Sequence, residues 1–317
     1  MKGALFYMMT FSIPLPDTKL FHVAVIGNAG IDTNIYFPGA GIDFTREASF
    51  TENIDYIGQA GGYSSRGFAR LGYRTAFIGY LGNDFQGRFI REQFTADGIN
   101  GEAIFIDPEG TSRSINFMYP DDRRKNFYDG KGHMHLQPDP DIWRPVLAQS
   151  NLALFHIPNW ARLLLRAAKE SGVTIACDLQ DIVQIDDPYR QDFIAAADIL
   201  FFSTVNHDGP EPIIAHILKH YPQKIILSGM GDRGCALGTK EGIEYFPALV
   251  MEDPVIDTNG AGDSLAVGFL SSYLFEGFSL REAVQRGQIA ARYTFTLKAT
   301  TSNLISREKL DELFAKR

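Results

Sequence analysis

Residues 257–263 read Asp257-Thr258-Asn259-Gly260-Ala261-Gly262-Asp263, and residues 264–274 that follow are apolar and helix-compatible. Two glycines and an alanine leave the backbone N–H groups of this segment uncovered. At a helix start such groups have no intrahelical partner and point at any anion placed there. The segment is therefore a candidate phosphate cradle. Asp263, in the first helical turn, reads in two ways. It is either a carboxylate that complements the helix N-terminus, or a base that takes a proton from an attacking hydroxyl while the N–H groups of Gly260, Ala261 and Gly262 stabilise phosphoryl charge. Capping alone leaves the flanking glycines unexplained.

Working outward from this segment, residues 22–27 form an apolar run ending in glycine, the pattern of a buried strand, and 75–78, 152–155, 173–177, 199–202 and 224–227 are similar. Most are separated by helix-compatible stretches, which predicts an α/β fold with a mostly parallel sheet covered by helices on both faces. Two regions break the rhythm, 35–57 and 102–128, the second carrying a Pro120-Asp121-Asp122 turn. They read as hairpin strands outside the main sheet, a small β lid inserted into one domain spanning 1–317. From Ala261 onward the pattern is helical, through 274, then 280–297 and 307–314.

The chain has 317 residues, 45% hydrophobic and 21% charged, with a formal net charge of -8. That is an ordinary globular composition, and the acidic balance without a basic run argues against nucleic-acid and anionic-membrane partners. Cys177 and Cys235 are far apart and form no C-x-x-C, so neither a disulfide framework nor a thiolate zinc site is expected, and a reducing, cytoplasmic setting fits. The stretch through Phe11 reads as a ragged end, and no apolar run is long enough to span a bilayer. His133 and His135 have no carboxylate or thiol cluster beside them.

Residues 257–263 match in full the D-T-x-G-A-G-D signature of the ribokinase-like, or PfkB, carbohydrate kinases, which the chain resembles along nearly its whole length. A second stretch resembles the family's N-terminal signature at Arg70, Leu71, Gly72, Gly79, Gly82, Asp84 and Gly87. Its beginning departs: Gly58-Gln59 stands where the family has a glycine pair and Tyr63 where it has Asn, with Gly61-Gly62 as the alternative pair. The resemblance implies a three-layer α/β/α sandwich with a β lid, Mg-ATP as phosphoryl donor, and in many members a monovalent cation such as K+ held by backbone near the Asp257 loop. It implies Asp263 as base, and is compatible with a homodimer formed through the lids.

On the acceptor side it points to Asp32, with Asn34 as companion, to Gly61 and Gly62, and to Tyr63, which reads equally as an aromatic packed against the lid. A carboxylate such as Asp32 accepts two hydroxyl hydrogen bonds, which suits a diol. Arg113 is a candidate for phosphate or acceptor contact, whereas Arg123, Arg124 and Lys125 read as a solvated hairpin tip. The nucleotide side falls on Thr258, on Asn206 and on Ser228, Gly229, Gly231 and Gly234. Asn206 matches the Asn of an N-x-x-E motif whose Glu is replaced by Gly209, with Glu211 close by. Gly229-x-Gly231-x-x-Gly234 spells a dinucleotide fingerprint, but the residues after it read as a strand, so the Rossmann reading fails. The acceptor stays open between a sugar, a sugar phosphate and a nucleoside, for which Tyr36, Phe37 and Tyr63 offer stacking surfaces. The altered positions 63 and 209 also leave a non-catalytic sensor as an alternative.

Overall fold

Residues Phe21–Ile26, an unbroken run of Val, Ala, Ile and aromatics, pack on both faces and lie inside the sheet. The computed structural model describes residues 14–317 except positions 40, 121, 122, 205, 252, 297, 300 and 302. The stretch through Phe11 and the Asp121-Asp122 turn lie outside the described residues. The strands are β1 (Phe21–Ile26), β2 (Gly30–Tyr36), β3 (Glu52–Gly58), β4 (Thr75–Gly82), β5 (Asn100–Asp107), β6 (Arg113–Met118), β7 (Arg124–Asp129), β8 (Ser150–Phe155), β9 (Thr174–Asp181), β10 (Ile199–Ser203), β11 (Ile225–Gly229), β12 (Cys235–Thr239) and β13 (Gly242–Phe246).

Among the described residues these build a nine-stranded sheet in the order β13-β12-β11-β10-β9-β8-β1-β4-β5 and a four-stranded sheet in the order β3-β2-β6-β7. In the large sheet only the pairings of β12 are antiparallel. One face is covered by helices Ala60–Arg70, Phe85–Ala96, Ala261–Leu270 and Leu280–Thr294, which contribute Phe68, Phe94, Phe269 and Val284 to one apolar core. The opposite face is covered by Pro140–Ala148, Arg162–Ser171, Gln191–Ala196 and Glu211–His220, which contribute Trp143, Leu164, Phe193 and Ile213 to a second core. The result is a three-layer α/β/α sandwich with a small second sheet.

The extra strands do not fall where the sequence pattern suggests. The second sheet begins at Gly30, ahead of the expected 35–57, because the chain turns into β2 only three residues after β1 ends. Residues Glu102 to Asp107, expected in the lid, belong to β5 at the edge of the large sheet. Burial of Ala103 beside Ile78 places that strand, and the lid resumes only at β6.

Helices Ala261–Leu270 and Leu280–Thr294 approach more closely than ordinary side chains allow. A Cβ on Gly287 would stand 2.7 Å from the Leu265 carbonyl oxygen, and one on Gly268 2.9 Å from the Gly287 Cα. Neither backbone has a flexible neighbour to yield, so Gly287→Val should destabilise the fold by about 3 kcal/mol, read in urea unfolding, through overpacking against the helix that carries Asp263.

Candidate functional site

The chain runs from β1 to β4 and β5 on one side and later to β8, β9 and β10 on the other, so β1 and β8 flank the point where strand order reverses. Ligands of open α/β sheets bind outside the carboxyl ends of strands at such a point. The carboxyl ends here carry Asn28 just past β1, His156 just past β8 and Asp178 within β9. The lid is rooted beside them, through Gly30 of β2.

Helix Ala261–Leu270 starts at the same place. Its N-cap is Gly260, in the left-handed region at φ 72° and with no side-chain cap, so the helix start is uncapped and only Asp263 meets a first-turn N–H, its own. A Cβ on Gly260 would clash with the Tyr63 ring, whereas one on Gly262 would meet nothing within 4 Å. The loop is thus pressed onto Tyr63 on one side and open on the other, where an anion fits against the helix N-terminus. Asp263 follows at once. Its Oδ1 is buried without a hydrogen-bond partner, and burial together with the negative charges of Asp178 and Asp32 raises its proton affinity well above the usual carboxylate range.

Two groups that the sequence pattern does not mark complete the surroundings of Asp263. Ligand-type atoms of His156, Asp178 and Asp263 all lie within 4.8 Å of one another. His156 is buried, which pulls its imidazole down to about 3 and keeps it neutral, and its Nε2 meets Ser64 Oγ at 3.1 Å. Asp178 is buried as well, and that burial raises it above the ordinary carboxylate value. Their only sequence signal was position at the end of apolar strands, since neither belongs to a glycine-rich motif.

Asn34 and Tyr63 are held in a buried polar network. Asn34 is fully buried; its Nδ2 donates to Asp257 Oδ2 at 2.7 Å and to Tyr36 Oη at 3.0 Å, and its Oδ1 accepts from Tyr56 at 3.0 Å and from Asn116 at 2.9 Å. With its amide so occupied, Asn34 is an anchor between lid and loop instead of an acceptor contact. Tyr63 is buried and donates to Tyr56 Oη at 3.1 Å, which agrees with lid packing and removes it as a stacking surface. Tyr36 donates to Asp257 Oδ2 at 2.7 Å, and Phe37 stacks on Tyr119 with centroids 5.1 Å apart. Arg124, expected at a solvated tip, donates to Asn259 Oδ1 and ties β7 to the loop. Arg113 goes the other way: strand alternation puts it on the face opposite Ser114 and Asn116, which point into the site.

Asp32 remains available. It is buried with Oδ1 unpartnered, its carboxyl is pushed up to about 6 by burial, and a Cβ on Gly58 would overlap it. The Gln59 backbone N–H donates weakly to Asp32 Oδ2 at 3.4 Å, and Gln59 Nε2 donates to Ser114 Oγ at 3.2 Å. Gly61 and Gly62 are buried in the first helical turn behind it; a Cβ on Gly61 would stand 2.6 Å from the Asn28 carbonyl oxygen. Their smallness brings the helix start against the end of β1.

The nucleotide side is looser. Thr258 and Asn206 are exposed, and Asn206 Nδ2 donates to Asp181 Oδ2 at 3.3 Å. Glu211 lies against Gly209, where the motif has Glu: one of its oxygens is 2.2 Å from where a Cβ of Gly209 would be, and Tyr245 donates to the other. Ser228 is fully buried in β11, with its hydroxyl inside the sheet and away from solvent. Gly229 is half-buried and Gly231 exposed at the turn, while Gly234, at φ 95°, lets β12 approach the Phe246 carbonyl oxygen, so local packing accounts for it. Cys235 onward is a strand, as the residues after the fingerprint predicted.

Gln59 sits at φ 66° and ψ 152°, a backbone region almost confined to glycine. Strain of about 1–3 kcal/mol is expected there, against about 0.5–1 kcal/mol for the extra chain entropy of glycine. Gln59→Gly should therefore raise unfolding free energy by about 1 kcal/mol, whereas Gln59→Ala, which keeps the strain, should not; denaturant titration of both variants checks this.

Comparison with known proteins places the chain in a family. The pattern described as "pfkB family carbohydrate kinase" matches residues 23–307. The chain is 27% identical over 298 residues to acarbose 7(IV)-phosphotransferase of Actinoplanes sp., covering 91% of this chain and 96% of that protein. It is 26% identical over 323 residues to 5-dehydro-2-deoxygluconokinase of Listeria monocytogenes, covering 94% and 97%. Among solved structures it superposes on the microbiome-derived acarbose kinase Mak1 with a TM-score of 0.84 at 25% identity, over 93% of this chain and 99% of that one. Arabidopsis thaliana ribokinase with ribose and ATP gives 0.77 at 21% identity, over 93% and 98%, and so shares the fold. The chain belongs to the pfkB family of carbohydrate kinases, phosphotransferases that act on sugar hydroxyls, and has the ribokinase fold.

Proposed function

We propose that Asp263 is the general base of this kinase and that the backbone of Gly260, Ala261 and Gly262 forms its anion hole. The observation that carries the reading is the unpartnered Asp263 Oδ1 in the first turn of a helix whose start is uncapped and open beside Gly262. A buried carboxylate oxygen without a donor costs free energy. A hydroxyl presented to it relieves that cost, and the carboxylate then takes the hydroxyl proton as the oxygen attacks. The uncovered N–H groups fit an anion, and Asn206 with Glu211 would hold Mg2+ on the nucleotide side. Mg-ATP, when bound, supplies the transferable phosphoryl group and the cation that neutralises it. Asp32, with its own unpartnered oxygen, receives a second acceptor hydroxyl.

A sugar or sugar-like acceptor suits this site better than a nucleoside, because Tyr36, Phe37 and Tyr63, the rings expected to stack on a base, are engaged in lid packing. Two free, buried cysteines agree with a cytoplasmic setting. The test is ADP release from Mg-ATP with a panel of sugars, acarbose, 5-dehydro-2-deoxygluconate and nucleosides, for wild type and Asp263→Asn. The variant should lose about two to four powers of ten in kcat with ATP affinity nearly unchanged. Equal turnover by both proteins would remove Asp263 as the base, and a preferred nucleoside would overturn the acceptor class. Repeating the assay with K+ and with a tetramethylammonium salt reads out monovalent-cation dependence.

Dimerisation through the lids is part of the same proposal. The outer lid face carries Ile115 and Phe127, both exposed, with Phe117 packed on Phe37 and Phe127 at centroid distances of 5.2 and 5.1 Å. Apolar patches of this kind are where copies meet. Light scattering should show a dimer for wild type and a monomer for Phe127→Asp; a wild-type monomer at high concentration sinks the idea.

A further inference from the structure

The cluster behind Asp263 is built more carefully than burial alone requires. Asp178 Oδ1 accepts the Gln180 backbone N–H at 2.9 Å, and Asp178 Oδ2 lies 3.7 Å from His156 Nδ1. His156 is fixed from its other side by Ser64, at 3.1 Å. With the Ser64 hydroxyl donating to Nε2, the proton on Nδ1 lies on the Asp178 side of the ring but beyond hydrogen-bond distance and without a partner. The imidazole is also locked in place by backbone, since the His156 N–H donates to the Ile26 carbonyl at 2.8 Å and a Cβ on Gly27 would press on the ring at 2.9 Å.

We propose that Asp178, oriented by the Gln180 N–H and flanked by the His156 ring, is a positioning residue that stands behind Asp263 as a fixed like charge and makes it a stronger base toward the acceptor hydroxyl. The inference rests on Asp263 being that base. Two carboxylates this close favour a proton on one of them. Asp178 has neighbours that keep it the charged member. Besides the hydrogen bond from the Gln180 N–H, the Arg190 guanidinium favours its anion, with Asp181 opposing. Asp263 has no such donor on Oδ1 and faces Asp32 as a further like charge. The proton released by the attacking hydroxyl therefore goes to Asp263, and its arrival relieves repulsion from Asp178 and Asp32. Ser64 is fully buried, so the Ser64-His156-Asp178 chain has no nucleophile to offer a substrate and acts through Asp263.

The sign of the effect follows. A neighbouring negative charge raises the proton affinity of Asp263, so removing it moves the acidic limb of the kcat profile to lower pH and weakens the base on the plateau. The experiment measures kcat against pH with the best acceptor for wild type, Asp178→Asn, His156→Leu and Asp263→Asn, with thermal melts of each. Nucleotide titration is common to all four proteins, so differences between them report the enzyme. Asp178→Asn should shift the acidic midpoint down by about one pH unit and lower plateau kcat by about tenfold to a hundredfold, with both KM values within a few-fold. Its melting temperature should be maintained or raised, because one of two buried like charges is gone. His156→Leu should shift the midpoint in the same direction, since replacing the imidazole beside Asp178 by an alkyl group makes its anion costlier to hold. An Asp263→Asn variant as active as wild type would sink the base reading itself. Loss of activity in Asp263→Asn with an unmoved midpoint and plateau in Asp178→Asn and His156→Leu would overturn the role of Asp178 alone.

Discussion

The buried hydrogen bond from Asn34 to Asp257, 2.7 Å long, joins two parts of the chain separated by 223 positions, and the arrangement of the site depends on it. Asp257 is the first residue of the glycine-rich loop and Asn34 lies in the lid strand next to the main sheet. Burial raises Asp257 above the usual carboxylate range, which means the carboxylate is costly to hold there. Donors from Asn34, Tyr36 and the Asn259 backbone at 2.7 to 2.8 Å repay that cost. Because they come from both lid and loop, the loop takes its shape only with the lid in place. That shape puts Gly260 against Tyr63 and aims the helix start at open space.

Electrostatics in the site follow from the same closure. Asp32, Asp178 and Asp263 would repel in water only weakly, but withdrawn from it their charges act at short range through a less polar medium. Burial is the largest cause of the raised proton affinity of each. The chain is acidic overall, yet it receives anionic phosphates, and the arrangement separates the two demands. Under the proposed reading, backbone N–H groups of the uncapped helix would face the anion and the carboxylates the hydroxyls. Arg124 is engaged by the loop at Asn259 and so contributes to loop shape.

Two of the sequence departures from the family pattern, at Tyr63 and Gln59, fall in the fold in different ways. Tyr63 stands where the family has an amide, and its ring fills the space under Gly260 and joins the lid network through Tyr56. Gln59 replaces a glycine but keeps the glycine backbone, and its side chain spans from the Asp32 region to Ser114 of the lid. A residue held in such a conformation stores strain that surrounding contacts must balance.

The linear sequence determined the layered α/β architecture, because buried parallel strands must be apolar on both faces and that signature is local, as in residues 21–26. It also marked the candidate phosphate cradle and Asp263, because uncovered N–H groups at a helix start need only adjacent small residues. Tertiary structure alone decided which polar side chains meet. Asn34 and Asp257, or Asp263 with Asp178 and His156, come from different strands and loops, and no periodicity encodes a contact across such distances. Strand alternation in the lid likewise sends Arg113 outward and Asn116 inward, a choice fixed by pairing register. What the sequence marked as Asp263 and its glycines is therefore the part of the site made by consecutive residues. The neighbours that set its charge are made by the sheet.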